Sequence, residues 1–430
     1  MRSSVRVGLL GFGVVGSDVV QLLRERASDL ALRAGLPVEL ERVAVRDTGK
    51  ARTVELPPER VTADAFALVN DPAIDVVVET IGGTGAAREL VLQALKAGKP
   101  VVTANKELLA TCGQEVMDAA ERADVDLLFE AAVGGGIPII RPMKESLAGD
   151  RVHRVMGIVN GTTNFILSRM SELGVPFEEA LAEAQALGYA EADPSDDVDG
   201  VDAAFKLAIL ASIAFNARVV ASDIQTTGIS TIRPADLAAA RELGYVIKLL
   251  AVAELQDGAI AASVHPAMVP SVHPLAAVRG VYNAVFLEAE RAGELMFFGR
   301  GAGGRPTASA VVGDVVEIAR NLGSGGRSSR CTCYHDRASI RPPEDTPVRY
   351  YVVLSVVDEP GVLSEVAAVF ARNEVSIASV RQEGRGAEAT LVLITHTASE
   401  GRHRATFSGL QHLGTVRSLD ATIRVEGAGD

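Results

Sequence analysis

The chain has 430 residues, of which 48% are hydrophobic, enough to bury cores in two or three domains at roughly 100 to 200 residues each. Its 42 basic and 55 acidic residues give a net charge of −13, which argues against nucleic acid or an anionic membrane as the main partner, and the absence of tryptophan leaves little for base stacking. Three cysteines, Cys112, Cys331 and Cys333, are too few for a disulfide framework, and the apolar N-terminal run is cut by glycines, so neither a signal peptide nor a membrane span is expected and the chain reads as cytoplasmic.

In chain order, Val5 to Leu10 reads as a strand, followed by Gly11-Phe-Gly13-Val-Val-Gly16 and a helical pattern to about Arg33. Strands at Glu39 to Val45, Val76 to Glu79, Pro100 to Thr103 and Asp126 to Phe129 alternate with helices at Ala86 to Ala97 and Lys106 to Asp124. Such alternation predicts a doubly wound, Rossmann-type parallel α/β domain over residues 1–150. An α+β domain follows over 151–304. Its strands are Arg151 to Val159, Tyr245 to Leu255 and Ala259 to His265, and its helices Thr163 to Glu172, Pro176 to Ala186 and Asp197 to Phe215. A helix at 305–322 is long enough to return to the first domain. Residues 323–347, rich in Gly, Ser, Arg and Pro, read as a linker. Residues 348–430 then read βαββαβ, a small ferredoxin-like unit.

The glycines Gly11, Gly13 and Gly16 sit between a strand and a helix, the context that gives a dinucleotide fingerprint its meaning: a tight turn, close approach of backbone to pyrophosphate, and close helix packing. Arg46 and Asp47 end the second strand; an acid there suits the ribose of NAD and an arginine the 2′-phosphate of NADP. Thr80 and Lys106 follow strands at the carboxyl edge where such sheets bind ligands. Glu130 precedes Ala-Ala-Val-Gly-Gly-Gly-Ile-Pro138, a loop that either turns tightly or holds a hard cation with oxygen ligands; residue types alone favour the turn. Cys112 within a helix reads as packing, and Cys331-Thr-Cys333-Tyr-His335 lacks a second ligand pair for a metal. The pairs His265-Pro266 and His273-Pro274 read as turn formers. Most informative is GYAEADPSDDVDGVDAAFK, Gly188 to Lys206. A helix starting near Asp196 or Asp197 would set Asp199, Asp202 and Lys206 on one face, a cation against carboxylates suited to moving a proton or binding an amine; N-cap residues and a surface ion pair are the plainer alternative.

Together with TANK at Thr103, EAAVGGGIP at Glu130 and NGTTN at Asn160, these motifs resemble the homoserine dehydrogenase family over essentially the whole chain, in the longer form with a C-terminal ACT domain. Asp358-Glu-Pro-Gly361-Val-Leu363 is similar to the ACT signature. The resemblance implies NAD(P)-dependent interconversion of L-homoserine and L-aspartate 4-semialdehyde in threonine, methionine and isoleucine biosynthesis. It implies that Gly11, Phe12, Gly13, Val14, Val15, Gly16, Thr80, Lys106, Gly188 and Gly303 hold the cofactor, to which the strand-end position adds Arg46 if it is NADP. It further implies that Glu191 and Asp202 bind substrate, that Lys206 transfers the proton with Lys106 assisting, and that Glu130 with the carbonyls of Val133, Gly135 and Ile137 binds a structural sodium ion. From the same resemblance, residues 151–304 are expected to be the substrate and dimerisation domain, and a homodimer or homotetramer and feedback inhibition by L-threonine are expected. A phosphorylating aldehyde dehydrogenase would instead need Cys112 as nucleophile, and a catalytically silent nucleotide or amino-acid sensor would be expected to have lost Lys206 or Glu191.

Overall fold

The computed structural model describes residues 3–328, 331–384 and 389–427. In chain order the elements are β1 (Val5–Leu10), α1 (Val14–Glu25), α2 (Ala27–Ala34), β2 (Val38–Ala44), β3 (Val61–Thr62), α3 (Ala65–Asn70), β4 (Val76–Glu79), α4 (Ala86–Lys96), β5 (Val101–Thr103), α5 (Lys106–Ala123) and β6 (Leu127–Leu128). Next come β7 (Val152–Ile158), α6 (Gly161–Leu173), α7 (Phe177–Ala186), α8 (Ser195–Val198), α9 (Val201–Phe215), β8 (Gln225–Thr226), α10 (Pro234–Glu242), β9 (Tyr245–Gln256), β10 (Ala259–Pro270), β11 (Tyr282–Ala289), β12 (Gly293–Arg300) and α11 (Gly304–Ser324). The chain ends with β13 (Pro347–Val348), β14 (Tyr350–Val356), α12 (Val362–Arg372), β15 (Ile377–Glu383), β16 (Thr390–Thr395), β17 (Ala398–Ser399), α13 (Glu400–Gln411) and β18 (Val416–Val425).

Two compact units result. The first takes Met1–Val159, Ala203–Ile224 and Tyr282–Ala338 and the second Asn160–Asp202, Gln225–Val281 and Ser339–Asp430. Unit one is built on a six-stranded sheet in the order β3-β2-β1-β4-β5-β6, with every pairing parallel. This is the doubly wound order whose reversal between β1 and β4 opens a ligand crevice at the strands' carboxyl ends. Central β4 and β5 carry unbroken apolar runs, Val76–Val78 and Val101–Val102, because helices cover both faces. Among them α11 packs Val311, Val312, Val315 and Ile318 into the same core as Val5, Val7 and Leu9, so the late helix does return to the first domain. The same unit holds β12-β11-β7, an antiparallel set.

Unit two places β9 and β10 as a long antiparallel hairpin. Strands β14, β18, β16 and β15, with α12 and α13, make the expected βαββαβ segment around Val352, Leu354, Val366, Phe370 and Leu391. Its last strand continues the sheet: β18 pairs in parallel with β10 at Ala267↔Arg424 and Met268↔Val425. Arg424 there donates to Glu400 (3.0 Å) and to Ser263 (3.0 Å). No helix among the described residues is long and apolar enough to cross a membrane.

Several expectations change. The helix drawn from Asp197 to Phe215 is two helices, broken at Gly200, whose φ is +84° and where a Cβ would come within 2.9 Å of Val264. Only glycine accepts both the backbone and the contact. Asp199 therefore falls before the break and does not share a face with Asp202 and Lys206. The pair His265-Pro266 lies inside β10 rather than in a turn, whereas the ring of His273 does cap a turn by accepting the Leu275 N–H. Strands β11 and β12 and helix α10 were not anticipated. The 323–347 segment is not a bare tether: Cys333 and Tyr334 are each only 2% exposed, and Cys331 and Cys333 form a disulfide that the cysteine count did not suggest.

Behind α6, Lys248 is 2% exposed and donates to Asn164 Oδ1 at 3.0 Å and to the Val278 carbonyl. Burial pulls its ammonium down from 10.5 to about 8. Between those values the unfolded chain holds a proton that the folded chain has released, so stability rises with pH. From pH 7 to pH 10 the wild type should gain roughly 2–3 kcal/mol over K248M, measured by paired denaturation curves. A gap that does not move with pH would mean that Lys248 keeps an ordinary pKa.

Candidate active site

The crevice at the β1/β4 reversal is lined by the glycine turn. Gly11 has φ +96°, and a Cβ there would lie 2.9 Å from the Thr80 carbonyl oxygen; one on Gly16 would lie 2.4 Å from the Gly11 carbonyl oxygen. Around Gly13, by contrast, a Cβ meets nothing within 4 Å. Two of the glycines thus let protein pack on protein, and the third leaves room for something else. Thr80 fixes the turn by donating its hydroxyl to the carbonyls of Leu10 (3.1 Å) and Gly11 (3.2 Å). Gly13 caps α1 without a side chain, so the first N–H groups of a twelve-residue helix face the open side, a ready anion site. Val14 beside it is 74% exposed, while Phe12 is buried under the Arg52 guanidinium at 5.7 Å. Gly304 fits against Val14 and Asp18, which sets Gly303, the residue capping α11, beside the nucleotide turn. Arg46 stands exposed past β2, and Asp47 spends its carboxylate on the Gly49 N–H at 2.9 Å.

The neighbouring edge is held by Glu79, wholly buried at the end of β4. One carboxylate oxygen accepts the Thr103 hydroxyl (2.5 Å) and the other the N–H groups of Ile81 (2.7 Å) and Gly82 (2.9 Å). Thr103 in turn accepts the Asn105 N–H (3.0 Å), and Asn105 caps α5 through Leu108 N–H (3.0 Å) and donates to Gly83 (2.8 Å). Lys106 is the first residue of the helix so anchored.

Helix α9 begins just before Asp202 and brings Lys206 one turn further on; both are buried, 7% and 8% exposed. The Lys206 ammonium donates to the Val159 carbonyl at 2.8 Å. Asp202 is met by Asn160, whose Nδ2 donates to Asp202 Oδ2 (2.9 Å) and to Asp197 Oδ1 (2.6 Å), while its Oδ1 accepts the Thr163 N–H (2.9 Å) and caps α6. Asp197, given no role from sequence, is thereby drawn to Asp202, and Asn160 was not singled out although its NGTTN motif was. An Asn followed three residues later by Thr at the head of a helix was the available signal for the cap, but its reach to Asp197 and Asp202 was not. Gly188 and Glu191 lie on an exposed loop after α7, tied down through Gln185 Nε2 to the Glu191 carbonyl (3.1 Å) and Thr162 to the Tyr189 carbonyl (2.8 Å).

Glu130 is 8% exposed and accepts three backbone N–H groups, from Ile139 (2.7 Å), Ile140 (2.8 Å) and Arg141 (2.9 Å). Its own N–H donates to Asp314 (2.8 Å), which is paired with Arg141 (2.8 Å), and burial drives the Asp314 carboxyl up to about 8. None of the hydrogen bonds between described residues ends on the carbonyl oxygens of Val133, Gly135 or Ile137. Those three oxygens and a carboxylate are the donor types a hard cation takes. Cys112 sits at a kink in α5, with φ −119°.

A glycine turn at the reversal of a 3-2-1-4-5-6 parallel sheet, with a lysine anchored at its carboxyl edge, is the framework of a nicotinamide-dependent oxidoreductase. Comparison with known proteins narrows this. Residues 138–316 match the family profile described as homoserine dehydrogenase, residues 11–130 its NAD-binding domain and residues 350–402 an ACT domain. The homoserine dehydrogenase of Corynebacterium glutamicum is 50% identical over 429 residues, 99% of this chain and 96% of that protein. A crystal structure of a homoserine dehydrogenase from Thiobacillus denitrificans superposes with a TM-score of 0.92 at 40% identity, covering 98% of each chain. A hyperthermophilic archaeal homoserine dehydrogenase in complex with NADPH matches with a TM-score of 0.62 at 30% identity, over 73% of this chain and 97% of that one. The chain belongs to the homoserine dehydrogenase family and carries its ACT-bearing form.

The glycines separate folding from cofactor binding. G13A should melt within about 1 °C of wild type yet lose at least tenfold in dinucleotide affinity, because its methyl occupies only the open side. G16A should lose roughly 1–3 kcal/mol of stability, since its methyl must displace the Gly11 carbonyl. Melting curves with dinucleotide titrations by fluorescence check both; unchanged affinity in G13A would remove the pyrophosphate from this turn.

Proposed function

We propose that the enzyme interconverts L-homoserine and L-aspartate 4-semialdehyde with NADP or NAD, and that Lys206 moves the proton. The observation that carries this reading is Lys206, buried one turn from Asp202, with Asp202 and Asp197 both held by the amide of Asn160. Oxidation removes a hydride from the carbinol carbon and a proton from its oxygen. The bound nicotinamide supplies the hydride acceptor. An unprotonated Lys206 takes the proton, and its ammonium returns it to the aldehyde oxygen in reduction, so charge balances in both directions. Asp202 and Glu191 offer carboxylates to the substrate α-ammonium, and Lys106 orients the substrate.

Phe12, Val14, Val15, Thr80, Gly188 and Gly303 complete the cofactor contacts of the glycine turn. Exposed Arg46, with Asp47 occupied in its own turn, supports NADP over NAD, as does the NADPH complex of the archaeal relative. Glu130 with the carbonyls of Val133, Gly135 and Ile137 would hold a sodium ion, fixing the loop that leads to β7. The ACT segment is read as the site of L-threonine inhibition, and a cytoplasmic homodimer or homotetramer as the working form.

The central test is homoserine-dependent reduction of NADP, followed at the nicotinamide absorbance, in wild type and K206A. We expect the variant to lose roughly 10²–10⁴-fold in kcat, the usual worth of positioned acid–base catalysis, while still binding NADP. Full activity in K206A would take the proton away from Lys206; nucleotide binding without turnover in the wild type would favour a sensor. For regulation, titrating L-threonine into the same assay should lower the rate of the full chain, and a flat response would end the inhibition reading.

A further inference from the structure

Strand β10 meets the joint between α8 and α9 with one face and the ACT segment with the other. Val264, wholly buried, stands against Gly200, where a Cβ would lie 2.9 Å from its Cγ1. The backbone repeats the contact. The Val264 carbonyl accepts the Thr227 N–H (2.8 Å), and two residues further on the Ile229 N–H donates to the Val198 carbonyl at the end of α8 (3.1 Å). Between them Gly228 lies so close that a Cβ would come within 2.5 Å of the same Val198 oxygen. The joint is thus held by side chain and backbone alike, and the acids on its two sides are Asp197 and Asp202, which share the Asn160 amide.

Successive side chains of a strand point to opposite faces, so Ser263 and His265 turn away from Gly200. There Arg424 of β18 meets them: its Nη1 lies 3.0 Å from the Ser263 hydroxyl and 3.4 Å from His265 Nδ1. Its other nitrogens are fixed within the ACT segment, Nη2 donating to Glu400 (3.0 Å) and Nε lying 3.4 Å from the Tyr350 hydroxyl. Glu400, buried at the head of α13, also accepts from Arg404 Nε (3.1 Å), and Arg404 Nη2 donates to Gln225 (3.3 Å) on β8, the strand paired with Ser263 and Val264. One ACT carboxylate therefore anchors two arginines, and these grip the two strands that carry the joint.

We propose that Arg424 and Val264 are positioning residues for the substrate: Arg424 fixes the 263–265 stretch from the ACT side, and Val264 passes that position to Gly200 and so to Asp202. The inference rests on the reading that Asp202 binds the homoserine ammonium. It makes the ACT segment part of the support of the substrate carboxylates, and it gives a shift of α13 or β18 a route to homoserine binding rather than to the dinucleotide.

Steady-state kinetics of the full chain, with NADP dissociation constants from fluorescence, test it in D202N, V264A, R424K and the double variant V264A/R424K. Lysine keeps a charge for Glu400 but lacks the fork that reaches Ser263 and His265. V264A and R424K should each raise the homoserine KM about three- to tenfold, with kcat and NADP affinity within about twofold of wild type. The double variant should fall short of the product of the two effects, because both act through one stretch of strand. A loss of folding alone would lower the active fraction, and so kcat, and leave KM in place. Should V264A fail to fold, S263A, which removes an Arg424 contact without emptying the core, is read in its place. A homoserine KM that V264A and R424K leave unchanged while D202N raises it, or single effects that multiply in full in the double variant, overturns the inference. An unchanged KM in D202N removes the substrate reading itself, and this inference with it.

Discussion

One side-chain amide, that of Asn160, ties three helices together. Its oxygen starts α6 and its nitrogen is shared by two carboxylates, Asp197 on the short helix α8 and Asp202 on α9. Two acids, one buried and one half-buried, that meet at one amide repel unless a donor stands between them. The amide supplies that donor without adding a charge, and the price is that the break between α8 and α9 must fall where it does, at Gly200.

The crevice of unit one follows from backbone approach. The parallel sheet reverses at β1 and β4, Thr80 closes on Gly11, and the carboxyl ends of β4 and β5 are tied through Glu79, Thr103 and Asn105. These hydrogen bonds join the ends of β1, β4 and β5 to the turns and the helix that follow them, so the residues facing the crevice are set by the sheet edge. Lys106 inherits its position from the cap that Asn105 makes.

Much of this was legible in the sequence where the signal is local. The glycine turn announces itself by lying between a strand and a helix, β1 and β4 begin and end where the apolar runs do, and the βαββαβ order of the C-terminal segment follows from alternation. What failed to show were contacts between distant residues. Gly200 looks like any glycine in a helical stretch until Val264 is seen against it. Nothing near Asn160 in the chain points to acids some forty positions away. Tyr334 lies in a Gly- and Ser-rich stretch, and only the absent side chain at Gly113 gives its ring a seat. Strand β12 escaped for a different reason: it alternates exposed and half-exposed residues, and no buried face marks it.

The parallel pairing of β18 with β10 bears on how the enzyme can be dissected. Cutting the chain before the ACT segment would leave the β10 edge with unpaired N–H and C=O groups at Ala267 and Met268 and bring His265, now buried beside Arg424, into water. An uncovered strand edge is a template for other chains. A shortened form would therefore need a redesigned β10, with charge or proline at that edge, before its behaviour in solution could be compared with that of the whole protein.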